Sequence, residues 1–282
     1  MQILVVANCA AGSYRRILSC FLPYANVRSA SDKRLRDQSV NLDAYDVVIA
    51  LQSAANWLAK DMTEATKLIK IPGFFFSGYH PDTIYVTSTE PGSKNIRSAA
   101  GPYHSMICAA AFKAGMSVDE ALSFYTANTY TALDYFGEYE RSKERFLTSF
   151  AACDMDMSQA LRRWSRKGCF MHSINHPKSE CFVDVMRTVC RAHFPDFLDF
   201  DHPLPDLLSE SMIFPCYPEI GQRRGTTGSY VFKKGGEFEM MNLHDFVSGS
   251  FAEYEKIGRE KLKVAGPFRK KFDVAYRHIA GV

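Results

Sequence analysis

The sequence predicts an α/β protein with a small parallel sheet in its N-terminal part and a large, mostly α-helical remainder. Two segments, Gln2–Ala7 and Asp46–Leu51, are almost continuously apolar, as strands buried on both faces of a parallel sheet tend to be. A segment of helical spacing follows each of them. From about Ser98 onward, longer amphipathic segments replace the strand-like ones. This change of pattern confines the predicted sheet to the N-terminal part.

Four segments are predicted as strands there. They are Gln2–Ala7, Asp46–Leu51, Ile69–Ser77, which Pro72 and Gly73 interrupt, and the short Thr83–Thr87. A helix is predicted over Ser13–Phe21, because Ile17, Leu18 and Phe21 share one side of it. Since strands alternate with helical connections, the strands are expected to run parallel.

The remainder is predicted to be mostly helical. The helices are expected from Ser117 toward Phe136 and over Glu138–Ala152, Met157–Lys167, Ser179–His193 and Leu243–Ile257. Ser117 is typical of an N-cap, since Asp119 and Glu120 follow it in the first turn. A loop-rich stretch, Phe214–Gly228, and a strand, Ser229–Lys233, precede the last of these helices. We predict a single domain over residues 1–282, with an α/β portion (1–95), a helical portion (96–200) and a loop-rich portion (201–282).

The composition is typical of a globular protein. The 282 residues are 46% hydrophobic and 13% aromatic, which suffices for a sizeable core. The net charge of +3 is too small to indicate a nucleic-acid partner. No apolar run approaches the ~20 residues of a membrane span, and the start lacks the basic region of a signal peptide. We therefore expect a cytoplasmic protein.

The eight cysteines are predicted to be reduced thiols, most of them buried. Their spacing contains neither a CxxC pair nor a zinc-ribbon pattern, and the histidines form no HExxH motif. We therefore expect no metal site.

Cys9 lies where the first strand is expected to end and a helix to begin. Ligands and catalytic groups collect at the carboxyl ends of parallel strands. The partial positive charge and N–H groups of a helix N-terminus favour a thiolate, lower its pKa and stabilise an oxyanion. Cys9 is therefore a candidate nucleophile, with the alternative that it is a buried turn residue.

A cysteine nucleophile needs a base that is near in space. Two histidines precede prolines, His80 and His176, so each is held outside a helix. We rank His176 ahead of His80, although ordinary loop histidines would show the same pattern. Asn8 and Asn175 are candidates for orienting the histidine or stabilising an oxyanion.

Several motifs resemble the WcbI-type polysaccharide biosynthesis proteins, a family of acetyltransferases of bacterial capsule pathways. They are VVANCAAG, IPGFFFSGYHPDTIYV, FMHSINHPKSECFVDV and GSYVFK followed by FVSGSFAEYEKI, in the family's order over about residues 1–260. Members commonly carry Gly-Asn-Cys-Gln, whereas this chain has Ala at position 10. The resemblance implies a coenzyme A or acetyl-CoA site and acetyl transfer to a sugar hydroxyl of a surface polysaccharide.

A coenzyme A site also needs cations for its phosphates. The Gly- and Arg-rich stretch 221–229 is the best candidate, although its composition is equally typical of a solvated loop. The candidate contacts are Arg223, Arg224, Thr226, Ser229, Lys233 and, beside the two strand ends, Gly12, Ser13, Ser77 and Tyr79.

Three functions stay open on the sequence. The first is acyl transfer from a coenzyme A thioester, with a histidine as base for the sugar hydroxyl. The acyl group passes either through Cys9 or directly to the sugar, with Cys9 as a wall or oxyanion element of the site. The second is an esterase or deacetylase with the same Cys–His chemistry or an SGNH-like site. The third is a non-catalytic protein that binds coenzyme A, a nucleotide or a glycan. We expect a thioester and a sugar as partners, and we also consider a homo-oligomer.

Overall fold

A computed structural model describes residues 1–37, 40–89, 96–236 and 238–282 of the chain. Within them the strands are β1 (Gln2–Ala7), β2 (Asn26–Ser31), β3 (Val47–Leu51), β4 (Lys67–Ile71), β5 (Thr83–Ile84), β6 (Val86–Ser88), β7 (His104–Ser105), β8 (Met171–Ser173), β9 (His176–Pro177), β10 (Phe232–Lys233), β11 (Met240–Met241) and β12 (Leu262–Val264). The helices are α1 (Ala11–Phe21), α2 (Asp32–Asp37), α3 (Gln52–Leu58), α4 (Met106–Ala114), α5 (Val118–Leu122), α6 (Ala127–Ala132), α7 (Glu138–Ala151), α8 (Ser158–Arg166), α9 (Ser179–His193), α10 (Pro218–Arg224), α11 (Leu243–Glu255) and α12 (Arg269–Ala280). No helix in these ranges is both long and apolar enough to span a bilayer.

The chain forms two compact units, each assembled from separate stretches. The first unit contains Met1–Phe75, Glu144–Phe170 and Asn175–Leu208, and the second contains Phe76–Lys143, Met171–Ile174 and Ser209–Val282. Of the portion boundaries predicted from sequence, residue 95 lies outside the described residues, and residue 200 lies within a stretch of the first unit. The single domain stays a prediction.

The first unit contains a four-stranded parallel sheet in the order β2-β1-β3-β4. Ile3 of β1 is in register with Val27 of β2 and Val47 of β3. Residues Ile3–Ala7 are buried, as the apolar run predicted for an inner strand covered on both faces. Because the strands are parallel, their carboxyl ends lie at one edge of the sheet. The α/β prediction is confirmed, and β1 ends at this edge.

Two details of the predicted sheet differ from the structure. Strand β2 was missed because its sequence, NVRSAS, lacks an apolar run, and only Val27 is buried in this edge strand. The third strand ends at Ile71 instead of Ser77, since Pro72 and Gly73 stop the pairing. Phe74 is nevertheless buried, and its ring lies 5.1 Å from that of Phe146 and 5.9 Å from that of Trp164.

The second unit contains antiparallel strand pairs and short helices. The pairs are β5 with β7, β6 with β12 and β10 with β11. The predicted strand Thr83–Thr87 is therefore split into two strands, neither of which joins the parallel sheet. Ser117 caps α5 in a capping box with Glu120, as predicted, but the expected long helix is divided into α5 and α6. In the first unit, α9 covers the predicted residues.

Candidate active site

The turn between β1 and α1 presents Cys9 at the carboxyl edge of the sheet. Asn8 shapes this turn, because its side-chain Oδ1 accepts a hydrogen bond from the Ala10 N–H (3.1 Å) and its carbonyl accepts one from the Ala11 N–H (3.1 Å). Cys9 is exposed to solvent. Among the described residues no side chain caps the start of α1, and the first turn of this helix carries no acidic residue. The helix end beside the thiol is therefore open to a negatively charged group.

The structure brings Cys9 and His176 together. The Cys9 Sγ lies 3.2 Å from the His176 Nε2, although 167 residues separate them in sequence. His176 is 9% exposed and forms β9 together with Pro177, immediately before α9. The backbone after this strand is fixed by a hydrogen bond from the Lys178 N–H to the Phe170 carbonyl (2.9 Å). The imidazole is thus a buried group whose Nε2 faces the sulfur of an exposed residue.

Burial raises the pKa of the Cys9 thiol, and the backbone N–H groups of Cys9 and Ala10 lower it by less. The sequence predicted the reverse, a pKa lowered by the helix N-terminus. The prediction failed because the sulfur, although the residue as a whole is exposed, loses much of its hydration in the turn. A thiolate at neutral pH would therefore require a neighbouring base.

The predicted neighbours of Cys9 and His176 have different environments. Ser13 is buried within α1, whereas Gly12 is exposed, and a Cβ added to it would meet no atom within 4 Å. Asn175 is half-buried next to His176. Open space at Gly12 would let a ligand approach the backbone at the start of α1.

The segment 77–80 lies inside the second unit. The Ser77 hydroxyl donates to the buried Glu138 Oε1 (2.6 Å), and the Tyr79 ring packs 5.5 Å from the ring of Tyr139. His80 is 2% exposed, and burial lowers its pKa to about 3, with His172 nearby adding to the effect. A base with so low a pKa abstracts protons poorly at neutral pH. All three side chains are buried within the second unit and lie outside the proposed site.

The predicted phosphate loop, 221–229, begins within a helix. Residues 218–224 form α10, with Gly225 as a left-handed C-cap at φ +63°. The Arg224 guanidinium lies 4.3 Å from the Tyr139 ring centre and donates to the Phe136 carbonyl (3.0 Å). The exposed Arg223 lies 3.8 Å from the Phe136 ring centre. Both arginines already contact aromatic rings of their own unit.

The other residues predicted to contact coenzyme A in this region form hydrogen bonds to backbone carbonyls of the same unit. The Thr226 N–H donates to the Gly221 carbonyl (3.0 Å), and the Ser229 N–H donates to the Cys216 carbonyl (2.8 Å). Lys233 is buried, and its Nζ donates to three carbonyls, among them that of Ser211 (3.2 Å). A buried ammonium held by carbonyls has a structural role, and Lys233 lies outside the proposed site.

Gly228 allows this region to pack against itself. A Cβ at this position would lie 2.7 Å from the Tyr217 carbonyl oxygen and would overlap Pro218. We expect Gly228→Ala to destabilise the protein by about 1–3 kcal/mol, because backbone atoms cannot move aside as a flexible side chain can. Urea unfolding would measure the loss. Gly266→Ala, where a Cβ meets no atom within 4 Å, should leave the free energy of unfolding within about 1 kcal/mol of wild type.

A polar cleft of ≈ 860 Å³ lies on the first unit, lined by α8, α9 and residues 199–201. Its charges are paired with each other: Arg187 bonds to Asp184 (2.7 Å) and Asp199 (2.8 Å). Trp164 is 1% exposed, and its Nε1 donates to Asp184 (2.8 Å). Trp164 is therefore a core residue behind the cleft.

Sequence reasoning missed Tyr14. Its side chain is fully buried, and its hydroxyl has no hydrogen-bond partner among the described residues. The sequence offered one signal for this residue: a tyrosine lies one turn into the helix that follows a candidate nucleophile. Among the described residues, no three His, Cys, Asp or Glu side chains are grouped so as to hold a metal ion.

An inner strand of a parallel sheet that ends in a thiol–imidazole pair defines an α/β protein with a candidate Cys–His site. The family model described as "Polysaccharide biosynthesis enzyme WcbI" matches residues 2–193, more than half of the chain. The chain therefore belongs to the WcbI family of polysaccharide biosynthesis enzymes, as its motifs predicted.

A solved structure of WcbI, described as a novel polysaccharide biosynthesis enzyme, is similar to this chain. That structure is of the native protein without a disulfide bond between coenzyme A and one of its cysteines. The TM-score is 0.66 with 11% sequence identity, over 99% of this chain and 94% of the other. At this identity the similarity concerns the fold. A search of curated proteins finds no match.

Proposed function

We propose that the protein transfers an acetyl or other acyl group from a coenzyme A thioester to a sugar hydroxyl in surface polysaccharide biosynthesis. The observation that carries the proposal is the 3.2 Å approach of the Cys9 Sγ to the His176 Nε2 at the carboxyl edge of the sheet. Membership of a polysaccharide biosynthesis family supports the sugar acceptor. The coenzyme A named with the similar solved structure supports the donor.

In the first half-reaction the Cys9 sulfur attacks the thioester carbonyl. His176 Nε2 takes the thiol proton, the bond from the carbonyl to the coenzyme A sulfur breaks, and the leaving sulfur receives that proton. Exchange of one thioester for another is nearly isoenergetic, so Cys9 can both accept and release the acyl group. In the second half-reaction the sugar hydroxyl gives its proton to His176 and attacks the acyl-cysteine, which restores the Cys9 thiol.

The start of α1 suits the rest of the donor. It lacks a side-chain cap and first-turn carboxylates, and Gly12 leaves room for close approach of a phosphate or of the carbonyl oxygen. Arg16 is exposed on the same helix and supplies a cation. Asn8 holds the turn, and Asn175 is the neighbour available to orient His176.

The test is covalent labelling by acetyl-CoA without an acceptor. Intact-mass and peptide spectra should show one acetyl group on Cys9 in wild type and none at that position in Cys9→Ala. Cys20→Ala is the matched control, since Cys20 is an exposed thiol on α1 and should not affect labelling. Equal labelling of wild type and Cys9→Ala would remove Cys9 from the nucleophile role. Release of acetate instead of acetyl-sugar in the presence of acceptors would identify a hydrolase.

A further inference from the structure

The polar cleft of the first unit lies on a different side of α9 from α1. Its volume of ≈ 860 Å³ is that of a small-molecule site. We call it the α9 cleft, and α8, residues 184–191 of α9 and residues 199–201 line it. Phe182 points to another side of α9, where its ring packs against that of Tyr14. The α9 cleft is therefore distinct from the face of α9 that meets α1.

One wall of the α9 cleft is a fixed hydrogen-bond network. Asp184 accepts hydrogen bonds from Trp164 Nε1 (2.8 Å) and Arg187 (2.7 Å). Arg163 donates to the same carboxylate (3.0 Å). Arg187 also donates to Asp199 (2.8 Å), and its side chain is only 18% exposed. These groups are aligned before a ligand arrives, so binding does not have to order them.

Other side chains that line the cleft keep unused hydrogen-bonding capacity. Asp201 and Gln159 are exposed, and their side chains have no hydrogen-bond partner among the described residues. Arg163 and Arg191 are 55% and 64% exposed, and each uses one nitrogen for an aspartate. Since a guanidinium group carries five N–H donors, most of theirs are available. The cleft therefore offers both donors and acceptors to a ligand.

The charges of the lining favour a neutral ligand. Three arginines and four aspartates line the cleft, which gives a net charge of −1. A phosphate or nucleotide would meet more carboxylates than guanidinium groups, and like charges repel. Among the described residues, no three acidic, histidine or cysteine side chains are grouped so as to hold a metal ion. Sugar hydroxyls both donate and accept, so they satisfy guanidinium and carboxylate groups together without adding charge.

We propose that the α9 cleft is a second saccharide-binding site, which holds a neutral segment of the acceptor polysaccharide. The inference rests on the proposed function for the source of this saccharide. Helix α9 begins at Ser179, shortly after His176, so the segment is anchored on the helix that follows the candidate base. The cleft increases the affinity for a polymeric acceptor without contacting the reacting atoms.

The test is a titration of protein labelled with ¹⁵N-tryptophan. The chain has two tryptophans, so the spectrum contains two indole N–H signals. The Trp164 signal reports on the cleft because its Nε1–H is bonded to Asp184, and Trp57, outside the lining, is the internal control. The probes are maltotriose, mannotriose and α-1,4-galactotriose. We expect at least one of them to move the Trp164 signal saturably and to leave the Trp57 signal unchanged. An unmoved Trp164 signal with all of them would overturn the proposal.

A charged probe tests the choice of a neutral ligand. Trigalacturonate differs from galactotriose in carrying carboxylates, and we expect it to bind at least about tenfold more weakly than the tightest neutral probe. Tighter binding of trigalacturonate would identify an anion site and contradict the proposal.

Two variants locate the bound sugar. Asp201→Ala and Gln159→Ala should each weaken binding about three- to tenfold, the usual effect of losing one hydrogen bond. Asp196→Ala is the matched control, because Asp196 is an exposed aspartate of the same unit outside the lining. It should bind the probes as wild type does. Equal affinities of all these variants would place the sugar elsewhere and refute the inference.

The two proposals fail separately, because the titration needs no coenzyme A and no thiol at position 9. Saturable movement of the Trp164 signal without acetyl transfer would refute the proposed function and leave this inference standing. Acetyl transfer to a saccharide that leaves the Trp164 signal unmoved would support the proposed function and refute this inference.

Discussion

His176→Gln is expected to lower the rate of acyl transfer by about 10²- to 10⁴-fold, the usual contribution of a positioned general base. The effect should be large because burial raises the pKa of the Cys9 thiol, so its thiolate is scarce at pH 7 without a base 3.2 Å away. Acetyl-CoA turnover and the rate of Cys9 alkylation measure the two parts of this loss. In the variant, the rate of Cys9 alkylation should keep increasing with pH to values above the usual pKa of a thiol.

His202→Gln provides the matched control. His202 is an exposed histidine of the same unit, with its ring centre 4.8 Å from that of Phe200. Its replacement should change neither acetyl-CoA turnover nor the rate of Cys9 alkylation by more than about twofold, because His202 lies outside the proposed active site. Alkylation of Cys9 at the wild-type rate in His176→Gln would show that the imidazole does not activate the thiol.

The parts of the site that follow from local pattern could be predicted. A continuous apolar run placed Cys9 at the end of β1, and His-Pro placed His176 outside a helix. The sequence ranked His176 ahead of His80 but could not show which imidazole meets the thiol, because a pairing across 167 residues depends on how distant segments pack. The structure separates the two by distance, since the His176 Nε2 lies 3.2 Å from the Cys9 sulfur, whereas His80 is buried within the second unit.

Composition predicted the wrong role where one residue type is used for two different purposes. The glycines at 221 and 228 suggested close approach to a phosphate, and they do permit close approach, but of the chain to itself. Tyr14 shows the opposite case. Its position in the sequence is typical of a core aromatic residue, and it is unusual only because its buried hydroxyl has no hydrogen-bond partner among the described residues. Edge strand β2 carried too few apolar residues to be recognised.

Stability is expected to fall steeply as the pH drops below about 6.5, because two buried histidines must stay neutral in the folded protein. Burial lowers the pKa of His80 to about 3 and that of His104 to about 4, from an ordinary value of 6.5. The His104 ring bonds to the Tyr254 hydroxyl (2.8 Å) and the Ile96 carbonyl (3.0 Å). The His80 ring nitrogens make no hydrogen bond of normal geometry among the described residues.

The sign follows from proton binding. Between the folded and unfolded pKa values the unfolded chain binds more protons, so acid favours unfolding, and this stabilisation is complete only above pH 6.5. Each histidine contributes at most about 1.4 kcal/mol per pH unit, a limit reached well below pH 6.5, so the free energy of unfolding should fall by about 2.4 kcal/mol between pH 6 and pH 5. The buried Asp82 has a raised pKa and reduces this slope, since its folded form binds protons more readily.

Urea unfolding at half-unit steps between pH 5 and pH 7 measures this slope. His80→Leu should lower it by about 1.4 kcal/mol per pH unit, because the replaced ring no longer titrates in the unfolded chain. The exposed His244 is the control, and His244→Gln should leave the slope unchanged. A slope that is the same in His80→Leu and wild type would mean that His80 takes up a proton in the folded protein, and its enclosed environment would have to open in acid.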